Sequence, residues 1–448
     1  MGFRRIWQIA WPATLESFFV GLTGLIDTAM VSALGTSAIA SVGLTNQPKF
    51  ICLAFALSLN VGVVALVSRR LGEGELAAGR GEGVTEASKV LRHALTLGLL
   101  LSIATCSLTF LAARPFLFFA GAGGDTIDQA VVYLRIVIAG QLFQHMCLTI
   151  NCAQRCIGLA RLSMVTNLCA CLVNICFNYL LIGGQMGFPA WGVAGAAAAT
   201  SLGHLVAFCI ALASLLSKRC RFVTFASRDW IPSAATMKSL WHVSIGALGE
   251  HMALRAGFLV YVLIVANLGT LAFATHQICM NITNMVISCF DGVSIAAAAV
   301  VGLDMGARNP ASAERNTLLA GVMSLAGAAV FVVLFAMFPQ GVMGIFSKDP
   351  DVVRMGAPIL VILAAGTFGA SVNSTCSGAL RGAGDTRFVA VSSLVSTTLI
   401  RPALSWFLCY PIGLGLVGPW LGLLIDFWLR AAMNFSRFCA GRWKSIVL

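Results

Sequence analysis

Apolar stretches of about twenty residues recur from one end of this chain to the other, and each is long enough to cross the ~30 Å hydrocarbon layer of a bilayer as a helix. Of the 448 residues, 58% are hydrophobic and only 10% are charged. A soluble domain carries about 25% charged residues to keep its surface wetted, so no soluble fold suits this chain. The 45 glycines fit membrane helices, in which small residues let backbones approach. Segments of about ten residues alternating apolar and polar positions are missing, which argues against an outer-membrane barrel. The stretches predict twelve helices at 7–33, 48–69, 91–112, 129–150, 162–183, 191–216, 242–267, 279–302, 317–338, 356–379, 388–409 and 414–435. The expected fold class is an all-α polytopic membrane protein. Residues 1–33 lack a cleavage site and are too long for a signal peptide, so a retained first helix is expected.

The formal net charge of +12 could indicate a nucleic-acid partner, but the positions of the charges give a different answer. One topology places 21 of the 29 Lys and Arg on a single side, leaving Arg114, Lys348 and Arg354 in loops on the other. That asymmetry is the positive-inside rule, and it puts both termini in the cytoplasm. Lys49 and Arg135 read as interfacial, with their charged ends reaching toward water. The fifteen Cys lie mostly inside apolar runs without a CxxC, where Cys acts as a small apolar residue and not as a zinc or redox ligand.

Two inner loops are longer than the rest: 70–90, and 217–240 with Lys218, Arg219, Arg221, Arg228 and Lys238. The second is central, and it separates an N-terminal lobe at 1–216 from a C-terminal lobe at 241–448. The lobes are internal repeats. Laying 12–40 on 246–274 matches Ala13/Ala247, Glu16/Glu250, Leu25/Leu259, Val31/Val265, Leu34/Leu268, Gly35/Gly269, Thr36/Thr270, Ala38/Ala272 and Ala40/Ala274. About three identities are expected from composition alone, so the repeat is genuine. A slightly smaller offset lays Arg155, Gly158 and Arg161 on Arg381, Gly384 and Arg387. Six helices per lobe mean that both enter the membrane in the same direction. Two six-helix bundles related by a pseudo-two-fold along the membrane normal are therefore expected, a geometry suited to alternating access.

Four segments resemble the multidrug and toxic compound extrusion family: GLIDTAMVSALG from Gly24 to Gly35, ATHQI from Ala274, LRGAGDTR from Leu380, and GPWLG from Gly418. The resemblance covers nearly the whole chain. It implies twelve helices in two lobes, a monomer in a plasma membrane (here a bacterial inner membrane), and export of organic, often cationic compounds in exchange for Na⁺ or H⁺. No enzyme activity and no cofactor beyond the coupling ion are implied.

A carboxylate deep in lipid costs at least ~2.5–3.5 kcal/mol, so Glu16, Asp27, Glu250, Asp291 and Asp426 each need a reason. Asp27 lies well inside the first helix near Gly21 and Gly24, where a bare charge is disfavoured against a proton or bound cation. Asn167, Asn174 and Asn178 share a face of the fifth helix, and Thr200 adds a hydroxyl from the sixth. Asp27, Asn174, Asn178 and Thr200 make an oxygen-only set, as a hard cation such as Na⁺ requires. The resemblance places the ion or proton site of the first lobe at these four positions. In one branch Asp stands where this chain has Asn178, which leaves H⁺ against Na⁺ open. The other reading of the Asn face is that it joins helices by hydrogen bonds.

The second half does not repeat this set, because Tyr261 stands in the place of Asp27, and acids that another branch carries near Leu254 and Ala370 are missing. Coupling is then expected in the first half alone. Glu16 and Glu250 are repeat partners, either lining a cleft that attracts cationic substrate or each pairing with a neighbouring Arg. Asp426, Arg430 and Arg401 read as a structural trio. Asp291 is a cleft candidate with no partner in view, and His276 reads as helix packing. Phe143, Met146, Phe177, Met280, Met285 and Phe290 could give a polarizable surface for varied organic ligands, or simply bulk facing lipid. The competing activity is a lipid-linked saccharide flippase, whose cleft should be basic to hold pyrophosphate; here intramembrane acids outnumber bases.

Overall fold

The computed structural model describes residues 2–76, 80–119, 123, 125–217, 220, 230, 233–347 and 349–446. Among these residues every regular element is helical. Twelve long helices follow one another: α1 (Gly2–Ser32), α2 (Asn46–Leu76), α3 (Arg80–Leu111), α4 (Asp125–Cys156), α5 (Ala160–Gly183), α6 (Val193–Leu216), α7 (Ala234–Ala266), α8 (Thr270–Gly306), α9 (Pro310–Met337), α10 (Pro350–Ala383), α11 (Thr386–Cys409) and α12 (Val417–Cys439). The first eleven are long and apolar enough to span a membrane. The twelfth matches them in length but carries Asp426 and Arg430. Short helices at Thr36–Leu44, Ala113–Phe119 and Pro339–Phe346 connect some of them.

Most helices outrun the expected spans. α2 continues to Leu76 and α3 begins at Arg80, so most of the expected loop at 70–90 is helix. α7 begins at Ala234, which puts Lys238 in a helix and not in the linker. An apolar run marks only the part of a helix that crosses lipid, whereas the helix itself continues into the polar interface wherever its residues tolerate it. Lys218, Arg219, Arg221, Arg228 and Lys348 lie outside the described residues. Where strong capping signals occur, the ends follow them. Asn309 accepts a hydrogen bond from the Ser312 N–H (3.0 Å) ahead of Pro310 at the start of α9. Asp349 does the same for the Asp351 N–H (2.9 Å) ahead of Pro350 in α10.

The chain divides into two compact units, Leu15–Ser244 and Met1–Thr14 with Ile245–Leu448. Thr14 belongs with the second unit, where its hydroxyl donates to the Cys289 carbonyl at 3.2 Å. Ser244 belongs with the first, where it packs so closely on Gly62 that a Cβ there would lie 2.7 Å from its hydroxyl oxygen.

Each unit is a six-helix bundle, and the same neighbours recur in both. In the first bundle α2 packs on α3 and α4, α4 on α3 and α6, and α5 on α6. In the second α8 packs on α9 and α10, α10 on α9 and α12, and α11 on α12. The repeat extends to backbone conformation. Gly35 and Gly269 stand just before helices with φ of 102° and 100°, and Gly158 and Gly384 follow α4 and α10 with φ of 86° and 94°. Only glycine adopts such angles without strain, which is why these positions match in sequence.

Candidate ion-coupling site

Asp27 sits on the inner part of α1, half-buried. Asn178 of α5 donates its amide N–H to the carboxylate. One turn earlier on α5 is Asn174, in the amide orientation that satisfies both of its ends. It turns its nitrogen to the same Asp27 oxygen at 2.7 Å and its oxygen to the Thr200 hydroxyl and backbone N–H, both at 3.3 Å. The four expected residues are thus brought together from α1, α5 and α6. Asn174 and Asn178 are both buried; Gly203, one turn after Thr200, lets α6 approach them, since a Cβ there would lie 3.3 Å from the Asn174 Cβ. The Asn178 amide oxygen is buried without a hydrogen-bond partner among the described residues. The Asp27 carboxylate could take a proton, and that oxygen together with the carboxylate could take a hard cation.

Asn167, on the same face of α5, goes elsewhere. It donates to Glu16, which also accepts the Ser163 hydroxyl at 2.9 Å and is ion-paired with Arg155. α1 is therefore tied to α5 at two levels, one charged and one carrying a carboxylate among neutral amides. The second bundle repeats the charged level: Glu250 is ion-paired with Arg381, whose Nε lies 3.1 Å from the carboxylate. Glu16 and Glu250 are both buried in these pairs, so neither offers an open carboxylate for a cationic substrate, and of the two readings of this pair of residues the geometry is that of the Arg partnership.

At the level of Asp27 the second bundle is different. Tyr261 is fully buried, and the Arg401 guanidinium lies over its ring at 3.9 Å from the centroid. The offset that aligns Arg155 with Arg381 places Thr200 on Asp426, and Asn174 and Asn178 on Ile400 and Leu404. The carboxylate has moved from the first helix of the bundle to the last. There Asp426 accepts from Ser396 (2.6 Å), Thr397 (2.9 Å) and Arg430 (2.9 Å), with Arg401 at 3.9 Å. The trio expected from sequence is present, with two hydroxyls added. A π-helical stretch at Leu394–Ile400, just ahead of Pro402, turns Ser396 and Thr397 toward Asp426; the ring of Pro402 removes a backbone donor there.

The remaining candidates scatter. Asp291 is exposed on α8 and feels the charges of Arg381 and Glu250. Phe143 is half-buried against Phe208, with ring centroids 5.8 Å apart. Met280 and Phe290 belong to the closed core of the second bundle, which corrects the expectation of a ligand surface there: the open face of α8 is the polar stripe Gln277, Asn281, Asn284 and Asp291, at steps of four, three and seven residues, and both residues lie off it. Lys49 corrects another expectation. It is not extended toward an interface but lies over the Tyr133 ring (5.1 Å), within electrostatic reach of Asp27. Its place in the first turn of α2, facing an apolar run, was the available signal. In the same bundle a pocket of about 550 Å³ is lined by Leu34, Asp128, Gln129, Trp191 and Val193 among others, and Leu34 lies in the turn that follows α1, the helix of Asp27.

A family profile described as MatE matches residues 12–180 and 248–407, one segment in each half. Among curated proteins the chain is similar to a probable multidrug resistance protein NorM of Thermotoga maritima, 25% identical over 443 residues that cover 98% of this chain and 93% of that protein. It is also similar to the multidrug resistance protein PmpM of Pseudomonas aeruginosa, 26% identical and covering 94% and 88%. Among solved structures, an outward-facing multidrug resistance MATE family transporter of the MOP superfamily superposes with a TM-score of 0.91 at 22% identity, covering 99% and 97%. A MOP superfamily transporter from Pyrococcus furiosus, described as having a binding pocket of reversed polarity, superposes with a TM-score of 0.90 at 22% identity, covering 99% of this chain and 97% of that one.

Proposed function

This chain belongs to the MatE family, and from that premise we propose that it is a secondary active exporter of organic, cationic and lipophilic compounds, driven by exchange with H⁺ or Na⁺ through alternating access. One observation carries the reading. Glu16, Glu250 and Asp426 are each held by a guanidinium, whereas Asp27 is held by the neutral amides of Asn174 and Asn178. A carboxylate fixed to arginine has a settled charge. One among amides can gain and lose a positive partner as its surroundings open and close, and that is the requirement for a coupling group. A single carboxylate toggling with one proton is the simplest exchange that this set supports, and Na⁺ is the competing ion. The relatives named as multidrug resistance proteins support small organic compounds as cargo. The basic loops support an inner-membrane protein with both termini in the cytoplasm, and we take the working unit to be a monomer.

Coupling requires that cation and cargo bind the alternating conformations differently. Everted membrane vesicles loaded by an imposed pH or Na⁺ gradient, with a lipophilic cation dye as probe, test it. Asp27→Asn should abolish gradient-driven accumulation while the protein inserts at wild-type levels. Accumulation by Asp27→Asn equal to wild type would rule the mechanism out.

A further inference from the structure

The polar side chains around Arg401 in the second bundle form an assembly that the export mechanism does not use. Arg401 is 5% exposed and stacks on Tyr261, and the Tyr261 ring stands 5.3 Å from the His276 ring, which stands 5.6 Å from that of Trp420. Tyr261, His276 and Trp420 are fully buried. In spite of that burial, Arg401 Nε and Nη2, the Tyr261 hydroxyl, both His276 nitrogens, Trp420 Nε1 and the Ser405 hydroxyl have no hydrogen-bond partner among the described residues. Buried polar groups are almost always bonded, and a guanidinium with two open N–H sites inside a membrane bundle is especially costly.

Donors outnumber acceptors among the open groups. Arg and Trp only donate, and Tyr, Ser and one nitrogen of a neutral His can donate as well. The one carboxylate at hand, Asp426, already has Ser396, Thr397 and Arg430 on its oxygens. Glu250, on the same helix as Tyr261, lies three turns away along α7, ~16 Å, and is taken by Arg381. Water would accept from two of these donors but bring two hydrogens that need acceptors of their own, which the cluster is short of. An anion accepts from such donors and brings no hydrogen of its own.

We propose that Arg401, Tyr261, His276 and Trp420 form a binding site for one small inorganic anion of chloride size in the interior of the second bundle. Full burial limits the occupant to a small ion. The adjoining π-helical turn at Leu394–Ile400 is the kind of local departure from α geometry that accompanies binding sites, and it sets the position of Arg401. The site stands where the first bundle has Asp27, so the two halves hold binding sites of opposite sign at repeat-related places.

Equilibrium dialysis of the purified full chain in detergent against radiolabelled chloride, with potassium gluconate keeping ionic strength constant, tests this directly. The expected result is saturable binding of about one chloride per chain, weakened at least about tenfold, a loss of ~1.4 kcal/mol, by Tyr261→Phe and by Trp420→Phe. Each variant leaves an aromatic ring in place and removes one donor. Asn178→Ala, in the first bundle, should bind chloride as wild type does. Thermal unfolding in gluconate establishes that each variant is folded. Absence of saturable chloride binding by the wild type, or undiminished binding by both ring variants, overturns the proposal.

Discussion

Glu16 with Arg155 in the first bundle and Glu250 with Arg381 in the second are the same device at the same place in two copies of one repeat. Three turns further along the first helix of each bundle the copies part company. There the first has Asp27 among Asn174, Asn178 and Thr200, and the second has Tyr261 under Arg401, with the carboxylate displaced to Asp426. The frame has been kept and the chemistry replaced. A charged latch joining the middle of one helix to the end of another is useful to any bundle, and both copies retain it. A titratable group away from water is expensive, and on the proposed mechanism only the first bundle keeps one exchangeable.

Breaking the shared latch should have the largest effect. Arg155→Ala leaves Glu16 buried without a counter-charge and should lower stability by about 3–5 kcal/mol, since both partners are less than a tenth exposed. Arg381→Ala should lower it by about 1–2 kcal/mol, because the Arg381 side chain is 27% exposed and water shares its charge. Denaturation midpoints in detergent check the order; equal losses would show that exposure does not separate the two latches. Next come the paired turns. Gly35→Ala and Gly269→Ala force a side chain into nearly the same positive φ, and each should cost about 1–3 kcal/mol. The same assay should find the two losses within about 1 kcal/mol of each other.

The divergent level predicts asymmetry instead. Asn178→Ala should slow gradient-driven efflux about tenfold, the equivalent of ~1.4 kcal/mol, by removing the amide that holds Asp27. Leu404→Ala, at the repeat-related position, removes a half-buried side chain and should lower stability by about 1 kcal/mol while coupling per folded molecule stays intact. A matching loss of coupling in both would erase the distinction between the bundles. The smallest effect is expected of Lys49→Gln, which removes a charge that Asp27 feels without a direct bond. Efflux rate should change by a few-fold and stability by less than about 1 kcal/mol.

Repetition made much of this readable in advance. Two copies of one pattern identified the lobes, the matched glycines and the partnership of Glu16 with Glu250, because identical residues at a fixed offset report shared geometry. The spacing of Asn174 and Asn178 found the partners of Asp27 but left open what Asn167, on the same face, would meet. A helix face runs the full depth of the bundle, and sequence does not say at which depth a face changes partner. Lys49 reads as interfacial because a lysine near a helix end is usually solvated, and only the fold puts Tyr133 and Asp27 beside it. Met280 was legible in principle: it lies off the stripe Gln277, Asn281, Asn284 and Asp291, whose steps of four, three and seven residues mark the open face of its helix. The donor cluster at Arg401 was half visible, since the sequence paired Arg401 with Asp426 but could not bring Tyr261, His276 and Trp420 from three helices to the same place.

The central claim is that one carboxylate, in the first bundle alone, exchanges its positive partner as cargo binds. Proton release on binding of a lipophilic cation, read with a pH indicator in weakly buffered detergent solution, tests it most directly. The account predicts about one proton released per cation bound by the wild type and by Tyr261→Phe, and none by Asp27→Asn. Release that persists in Asp27→Asn, or that disappears in Tyr261→Phe, would contradict it.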